Sequence, residues 1–274
     1  MESQNYKMTQ PQLHFYHMGE GVKAFSSTRH GGFSKGHYAA FNINHYCGDD
    51  EADIAKNRTL LCELLVIHET HLLMPHQVHL TEVVAIDKDF LNLSAEAQKA
   101  RLEGVDALMT NLSGVCIGVS TADCIPVLLY DQVKHVSCAI HAGWRGTVKR
   151  IVEKAVSEMI SVYGSRPKDI VAQIGPGIHL ESFEVGDEVY EAFEKEGFPM
   201  ETISQRYPAN DGSAQEKWHI DLPECNRQQL LISGIPSNQI SVSASDTFQQ
   251  HETFFSARRL GINSGRIFTG ILMA

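Results

Sequence analysis

No stretch of this 274-residue chain approaches the run of about 20 apolar residues that a membrane-spanning helix needs. Met1 to Gln12 is polar and lacks the apolar segment of an export signal, so a cytoplasmic protein with no membrane contact is expected. Basic charge is scarce. Lys and Arg number 23 against 33 Asp and Glu, a net charge of −10 that argues against a nucleic-acid surface but leaves room for a local basic pocket. The six cysteines, at 47, 62, 116, 124, 138 and 225, include no Cys-x-x-Cys pair, and a chain this long needs no disulfide framework. Histidine is plentiful at 14, yet no two histidines stand as His-x-His, the pairing a multicopper cluster would be expected to use. Internal repeats, low-complexity stretches and linkers are also missing. Nothing in the sequence demands a second chain, so a monomer is expected.

What is present is an ordinary globular composition, 43% hydrophobic and 20% charged, long enough for one large domain. Strands and helices are interleaved. Short apolar runs predict strands at Val22–Ser26, Glu82–Ile86, Val115–Val119, Ile125–Tyr130, Val136–Ile140, Ile170–Ile174, Ile240–Ala244 and Ile267–Leu272. Helical spacing predicts helices over Asp53–Ile67, Val185–Lys195 and Cys225–Ile232. The clearest helix is Thr147–Tyr163, where Val148, Ile151, Val152, Ala155, Val156, Met159 and Ile160 keep the 3.6-residue period. Arg206–Glu216 reads as loop. One α+β domain over 21–274, preceded by an extension over 1–20, is the simplest organisation.

Chemistry concentrates where strands end. Ser120-Thr121-Ala122-Asp123-Cys124 and His141-Ala142-Gly143-Trp144-Arg145-Gly146 are turns beside apolar runs, and Gln77-Val78-His79 precedes another. If His79, Cys124 and His141 converge, they supply one sulfur and two nitrogens. That set suits Zn²⁺ with a fourth position open to water or substrate, and copper is the alternative metal. The same residues could instead form a metal-free cysteine hydrolase, with Cys124 as nucleophile and His141 as base. A protein that binds without turnover is the third reading, and an open metal position speaks against it. Cys62, Cys116 and Cys138 fall within a helix or strands and read as inert core thiols. His68-Glu69-Thr70-His71 is not His-Glu-x-x-His, because its second histidine comes one residue early; His68, His71 and His76 read as loop or helix-end residues. Arg145 before the Thr147 helix, Arg29 before Gly31-Gly32, and Arg258-Arg259 after Phe254-Phe255-Ser256-Ala257 are candidate anion binders.

At these positions the chain resembles a known family. The matching pieces are Ser27-Thr28-Arg29-His30-Gly31-Gly32, Gln77-Val78-His79, Thr121-Ala122-Asp123-Cys124-Ile125-Pro126 and His141-Ala142-Gly143-Trp144-Arg145-Gly146. Further matches are Ile174-Gly175-Pro176, Trp218-His219-Ile220-Asp221-Leu222 and Phe254-Phe255-Ser256-Ala257-Arg258-Arg259. The family is the one once called domain of unknown function 152, or laccase-like multicopper polyphenol oxidase. The resemblance implies a single α+β domain, layered as an α/β/β/α sandwich with mixed sheets. It implies a zinc site at His79, Cys124 and His141. It also implies a purine nucleoside enzyme that phosphorolyses adenosine, inosine, guanosine or methylthioadenosine and deaminates adenosine; some bacterial members carry a cell-wall editing role. Purine nucleosides and phosphate are then the expected partners, with Arg29, Arg145 and Arg258 as candidate substrate and phosphate anchors. Deamination would need a carboxylate to move protons, and Asp123 is the nearest by sequence. Many relatives carry cysteines in two places where this chain has His179-Leu180-Glu181-Ser182-Phe183 and Ser243-Ala244-Ser245-Asp246-Thr247, a departure that leaves the three proposed ligands intact.

Overall fold

The computed structural model describes residues 10–209 and 215–274. Its strands are β1 (Leu13–Tyr16), β2 (Val22–Ser27), β3 (Leu72–Leu73), β4 (Val83–Ile86), β5 (Ala107–Thr110), β6 (Cys116–Thr121), β7 (Ile125–Asp131), β8 (Val136–Ala142), β9 (Ile170–Ile174), β10 (Glu184–Val185), β11 (Ser204–Pro208), β12 (Glu216–Ile220), β13 (Ile240–Val242) and β14 (Ile267–Met273). They form a five-stranded sheet in the order β1-β2-β14-β6-β3 and a six-stranded sheet in the order β13-β9-β7-β8-β5-β4. A small antiparallel sheet, β10-β12-β11, stands apart. Both large sheets are mixed, because β3 joins β6, β4 joins β5 and β13 joins β9 in parallel while their other pairs are antiparallel.

The layering follows from side chains alternating across each strand. Along β7, Ile125, Val127 and Leu129 enter one core, while Leu128 and Tyr130 enter another. The first core packs the six-stranded sheet against the helices Ile151–Tyr163 and Leu222–Ile232. The second lies between the two sheets, where Leu128 and Ala139 meet Ile117, Val119 and Ile271. On the far side of the five-stranded sheet, Phe25, Cys116 and Phe268 pack on Leu61, Cys62 and Leu65 of the helix Glu51–Leu65. The result is one domain with α/β/β/α layers, as the family resemblance implies. Central strands buried on both faces explain the near-continuous apolar runs in the sequence. No helix among the described residues is long and apolar enough to cross a membrane.

Several elements differ from expectation. The Thr147–Tyr163 helix is two helices, Trp144–Val148 and Ile151–Tyr163, broken at Arg150, whose φ is 62°. Gln229, buried on the neighbouring helix, takes up the backbone groups freed at the break. Its amide donates to the Thr147 carbonyl at 2.9 Å and its oxygen accepts from Val152 N–H at 3.2 Å. Ile160, at the edge of the buried stripe of the second helix, is 42% exposed rather than core. Asp50 caps the helix Glu51–Leu65 by accepting from Ala52 and Asp53 N–H, so that helix lies two residues earlier than predicted. Val185 belongs to β10, and the helix after it starts at Asp187. The helix expected from Cys225 begins at Leu222, behind an Asp221 cap and Pro223. β13 stops at Val242. The predicted loop 206–216 is flanked by strand residues, Arg206–Pro208 in β11 and Glu216 in β12; residues 210–214 of it fall outside the described residues. Leu13–Tyr16, inside the segment expected to be an extension, pairs with β2 as an edge strand.

Candidate metal centre

β7 and β8 are antiparallel neighbours in which Pro126 pairs with His141. Cys124, just ahead of β7, therefore comes beside His141 at the end of β8. His79 arrives on the segment between β3 and β4, in a left-handed conformation with φ of 62°. One ligand atom from each of His79, Cys124 and His141 lies within 4.8 Å of the others. The two imidazole rings stand edge to face with centroids 4.7 Å apart. Among the described residues this is the one grouping of three or more His, Cys, Asp or Glu side chains close enough to share an ion.

Local contacts hold each candidate ligand. Asp106, fully buried, accepts from His141 Nδ1 at 2.7 Å and from the backbone N–H of His79 at 3.0 Å and Leu80 at 2.8 Å. Its carbonyl also accepts His141 N–H at 2.8 Å. One residue thus fixes both histidines. Gln77 clamps the His79 segment to the end of β6, donating to the Ser120 carbonyl at 2.7 Å and accepting Ser120 N–H at 2.8 Å. Gly143 closes the site from below. A Cβ there would stand 2.9 Å from His79 Cδ2, which would have to shift, and 3.0 Å from Cys124 Sγ, a tight contact.

Electrostatics point the same way. Burial opposes an ionised thiol at Cys124, but the charge of His141 and hydrogen bonds from His141 and His79 outweigh it, and the thiol titrates below its ordinary range. Burial likewise opposes a charged His141, and Cys124 with Asp106 overcomes that and raises it. Burial would raise Asp106, yet its bonds from His141, Leu80 and His79 keep it below the usual carboxylate range. A thiolate and two imidazoles, with His141 anchored at Nδ1 by a carboxylate, are what a bound zinc or copper ion would use. Three donors leave a position open. By contrast, burial pushes the Cys62 thiol up to about 11 and lifts Cys116 and Cys138 further. These three are core thiols, as their places in the sequence suggested.

The centre opens into a cavity of about 710 Å³, lined also by Tyr46, His76, Trp144, Ile178, Phe183, Arg258 and Arg266. Asp123 lines it as well, but its carboxylate faces the protein. Oδ1 accepts from Thr247 Oγ1 at 2.7 Å and Oδ2 from Arg258 N–H at 2.7 Å, and burial raises its carboxyl despite these bonds. Its geometry is that of a brace holding the Cys124 turn to the Arg258 segment.

Of the arginines expected to bind an anion, Arg258 alone lines the cavity. Its guanidinium donates to the Glu184 carbonyl at 3.0 Å and lies 5.5 Å from the centre of the Phe183 ring. Arg29 is not brought there. Its guanidinium donates to the Ala39 and His251 carbonyls and lies against Phe255, stitching three loops together. Arg145 is exposed and stacks on Trp144, at 4.2 Å from the ring centre. Arg266, which the sequence did not single out, lines the cavity and donates to the carbonyls of Ser264, Gly265 and Ile262. Neither Arg258 nor Arg266 is ion-paired to a carboxylate among the described residues.

Residues 23–274 match the family model described as multi-copper polyphenol oxidoreductase laccase. The chain is 46% identical to a purine nucleoside phosphorylase of Bacteroides thetaiotaomicron over 252 residues, 92% of each protein. It is 45% identical to adenosine deaminase RL5 of an unknown prokaryotic organism, covering 94% of this chain and 97% of that one. Among solved structures it is similar to YlmD from Geobacillus stearothermophilus, at 32% identity and a TM-score of 0.81 over 93% of this chain and 92% of the other. It is also similar to the Bacillus licheniformis hypothetical protein YfiH, at 27% identity and a TM-score of 0.87 over 96% and 97% of the two chains. The chain belongs to this laccase-named family, whose members include proteins named for purine nucleoside phosphorolysis and adenosine deamination.

Proposed function

We propose that this family member is a zinc-dependent purine nucleoside phosphorylase that also deaminates adenosine, working in the cytoplasm as a single-domain monomer over residues 21–274. The observation that carries the reading is the convergence of His79, Cys124 and His141 on a cavity that also presents Arg258 and Arg266. The relatives named phosphorylase and deaminase supply the substrate class. Adenosine, inosine, guanosine and methylthioadenosine are the proposed nucleosides.

When bound by the triad, zinc supplies a Lewis acid for charge that develops at the reacting centre. The chain's own residues do the rest. Trp144, Ile178 and Phe183 give apolar surface to the nucleoside. Arg258 and Arg266 donate to backbone carbonyls and form no ion pair with a carboxylate among the described residues, which suits them to phosphate. Asp106 keeps His141 Nδ1 engaged so that Nε2 turns to the cavity side. Copper suits the same three donors, but a single three-ligand group is not the set a multicopper oxidase needs.

A second reading has an observation of its own. The lowered Cys124 thiol beside a raised His141 is also the signature of a nucleophilic cysteine hydrolase. Product analysis of adenosine turnover by the zinc-loaded protein separates the two. Phosphorolysis gives adenine and ribose 1-phosphate only when phosphate is present, and deamination gives inosine without it. Absence of phosphate-dependent adenine release would contradict the phosphorylase reading.

A further inference from the structure

We propose that His76, aimed by Glu103, is the general acid that protonates the departing purine base; the inference rests on the phosphorolysis reading of the same cavity. Cleavage of the glycosidic bond leaves the bonding electron pair on the base, and a proton at N7 makes the base a far better leaving group. Asp123, the acid nearest Cys124 in sequence, is poorly placed to give that proton because both its oxygens accept bonds from the protein. His79, Cys124 and His141 are committed to the metal. Cys47 is buried with a raised thiol and bonds to Asn42 and Asn44.

His76 is built differently. Its ring lines the cavity on the same segment as His79. Nδ1 sits 2.5 Å from Glu103 Oε1, and one face stacks on Tyr46 with centroids 4.2 Å apart and planes 23° from parallel. Its backbone is pinned as well, with His76 N–H donating to the Leu102 carbonyl and Gly104 N–H donating to the His76 carbonyl, both at 3.0 Å. The ring is therefore fixed by carboxylate, stack and backbone together. Among the described residues Nε2 has no protein hydrogen-bond partner. An imidazole that lines the cavity, with one nitrogen on a carboxylate and no described protein partner at the other, is the arrangement of a positioned acid–base group.

A phosphate oxygen forms the new bond to C1′ as the C1′–N9 bond breaks. The electron pair goes to the base, the Nε2 proton moves to N7, and the neutral base leaves. The ester sheds the proton carried by the entering hydrogen phosphate, and solvent returns one to His76.

The test compares leaving groups in the zinc-loaded full-length protein. Inosine needs the proton, whereas 7-methylguanosine and 4-nitrophenyl ribofuranoside release their leaving groups without it. His76→Gln should lower kcat for inosine about 100-fold or more with KM little changed, and should spare the better of the two activated substrates to within about threefold. Glu103→Gln, an exposed change, should show the same selectivity more weakly, and it carries the comparison if the histidine variant fails to fold. Retention of kcat on inosine, or equal losses on both kinds of substrate, would overturn the role of His76 while leaving phosphorolysis standing. A wild-type protein that releases no base from inosine in phosphate would overturn the phosphorolysis reading, and this inference with it.

Discussion

Asp106 Oδ1 stands 2.7 Å from His141 Nδ1, and the same carboxylate receives the backbone N–H of His79. Two candidate ligands from separate segments are thus oriented by one buried charge. Outer partners of this kind orient ligand rings and raise their basicity. Asp106→Asn keeps the volume but weakens the acceptor for the imidazole. It should reduce zinc affinity about 10- to 100-fold, measured by competition with a chelating dye. Unchanged affinity would show that the contact has no bearing on the metal.

Gly143 offers a sharper steric test. Alanine there puts a methyl against His79 and Cys124, at 2.9 and 3.0 Å from their nearest atoms. His79 has to shift, because the 2.9 Å contact is with its ring, and Cys124 Sγ is left in a tight contact. Gly143→Ala should lose bound metal, read by elemental analysis, while its circular dichroism spectrum stays that of the parent.

Cys124→Ala should abolish the stabilisation that zinc gives. Binding to the native state alone raises stability by about 2.7 kcal/mol at a hundredfold excess over Kd, so the parent's Tm should climb with added zinc and the variant's should not. A zinc-independent Tm in the parent would count against a resident metal.

Gln229 carries a prediction about folding alone. Gln229→Leu leaves the Val152 N–H without its buried partner at the helix break and removes one of two donors to the Thr147 carbonyl, the other being Arg150 N–H. A loss of about 1–3 kcal/mol is expected in denaturant unfolding.

Much of this architecture was legible in the sequence where burial is complete. β7, β8, β9 and β14 are near-continuous apolar runs, because each is covered on both faces, and their predicted limits agree with the structure to within two residues. Cys124 and His141 could be read as strand-end ligands because small and polar residues interrupt those runs. The break at Arg150 was not legible. Its periodicity is that of one helix, and what permits the interruption is Gln229, 77 residues beyond Val152. Asp106 left no local signal, being a single acid before a short strand whose partners come from two other segments. Arg29 looked like an anion binder because its carbonyl partners, Ala39 and His251, are invisible to a local reading. Arg266 was missed for the converse reason, since only the fold brings β14 to the cavity that Cys124 opens into.

The most direct test of the metal-centre account is to measure bound zinc and phosphate-dependent base release together in the parent and in His79→Ala. The account predicts that both fall in the variant, because a three-donor site cannot spare a nitrogen. Base release that persists in His79→Ala while zinc is lost would contradict it, and would shift the chemistry to Cys124 and His141 acting without a metal.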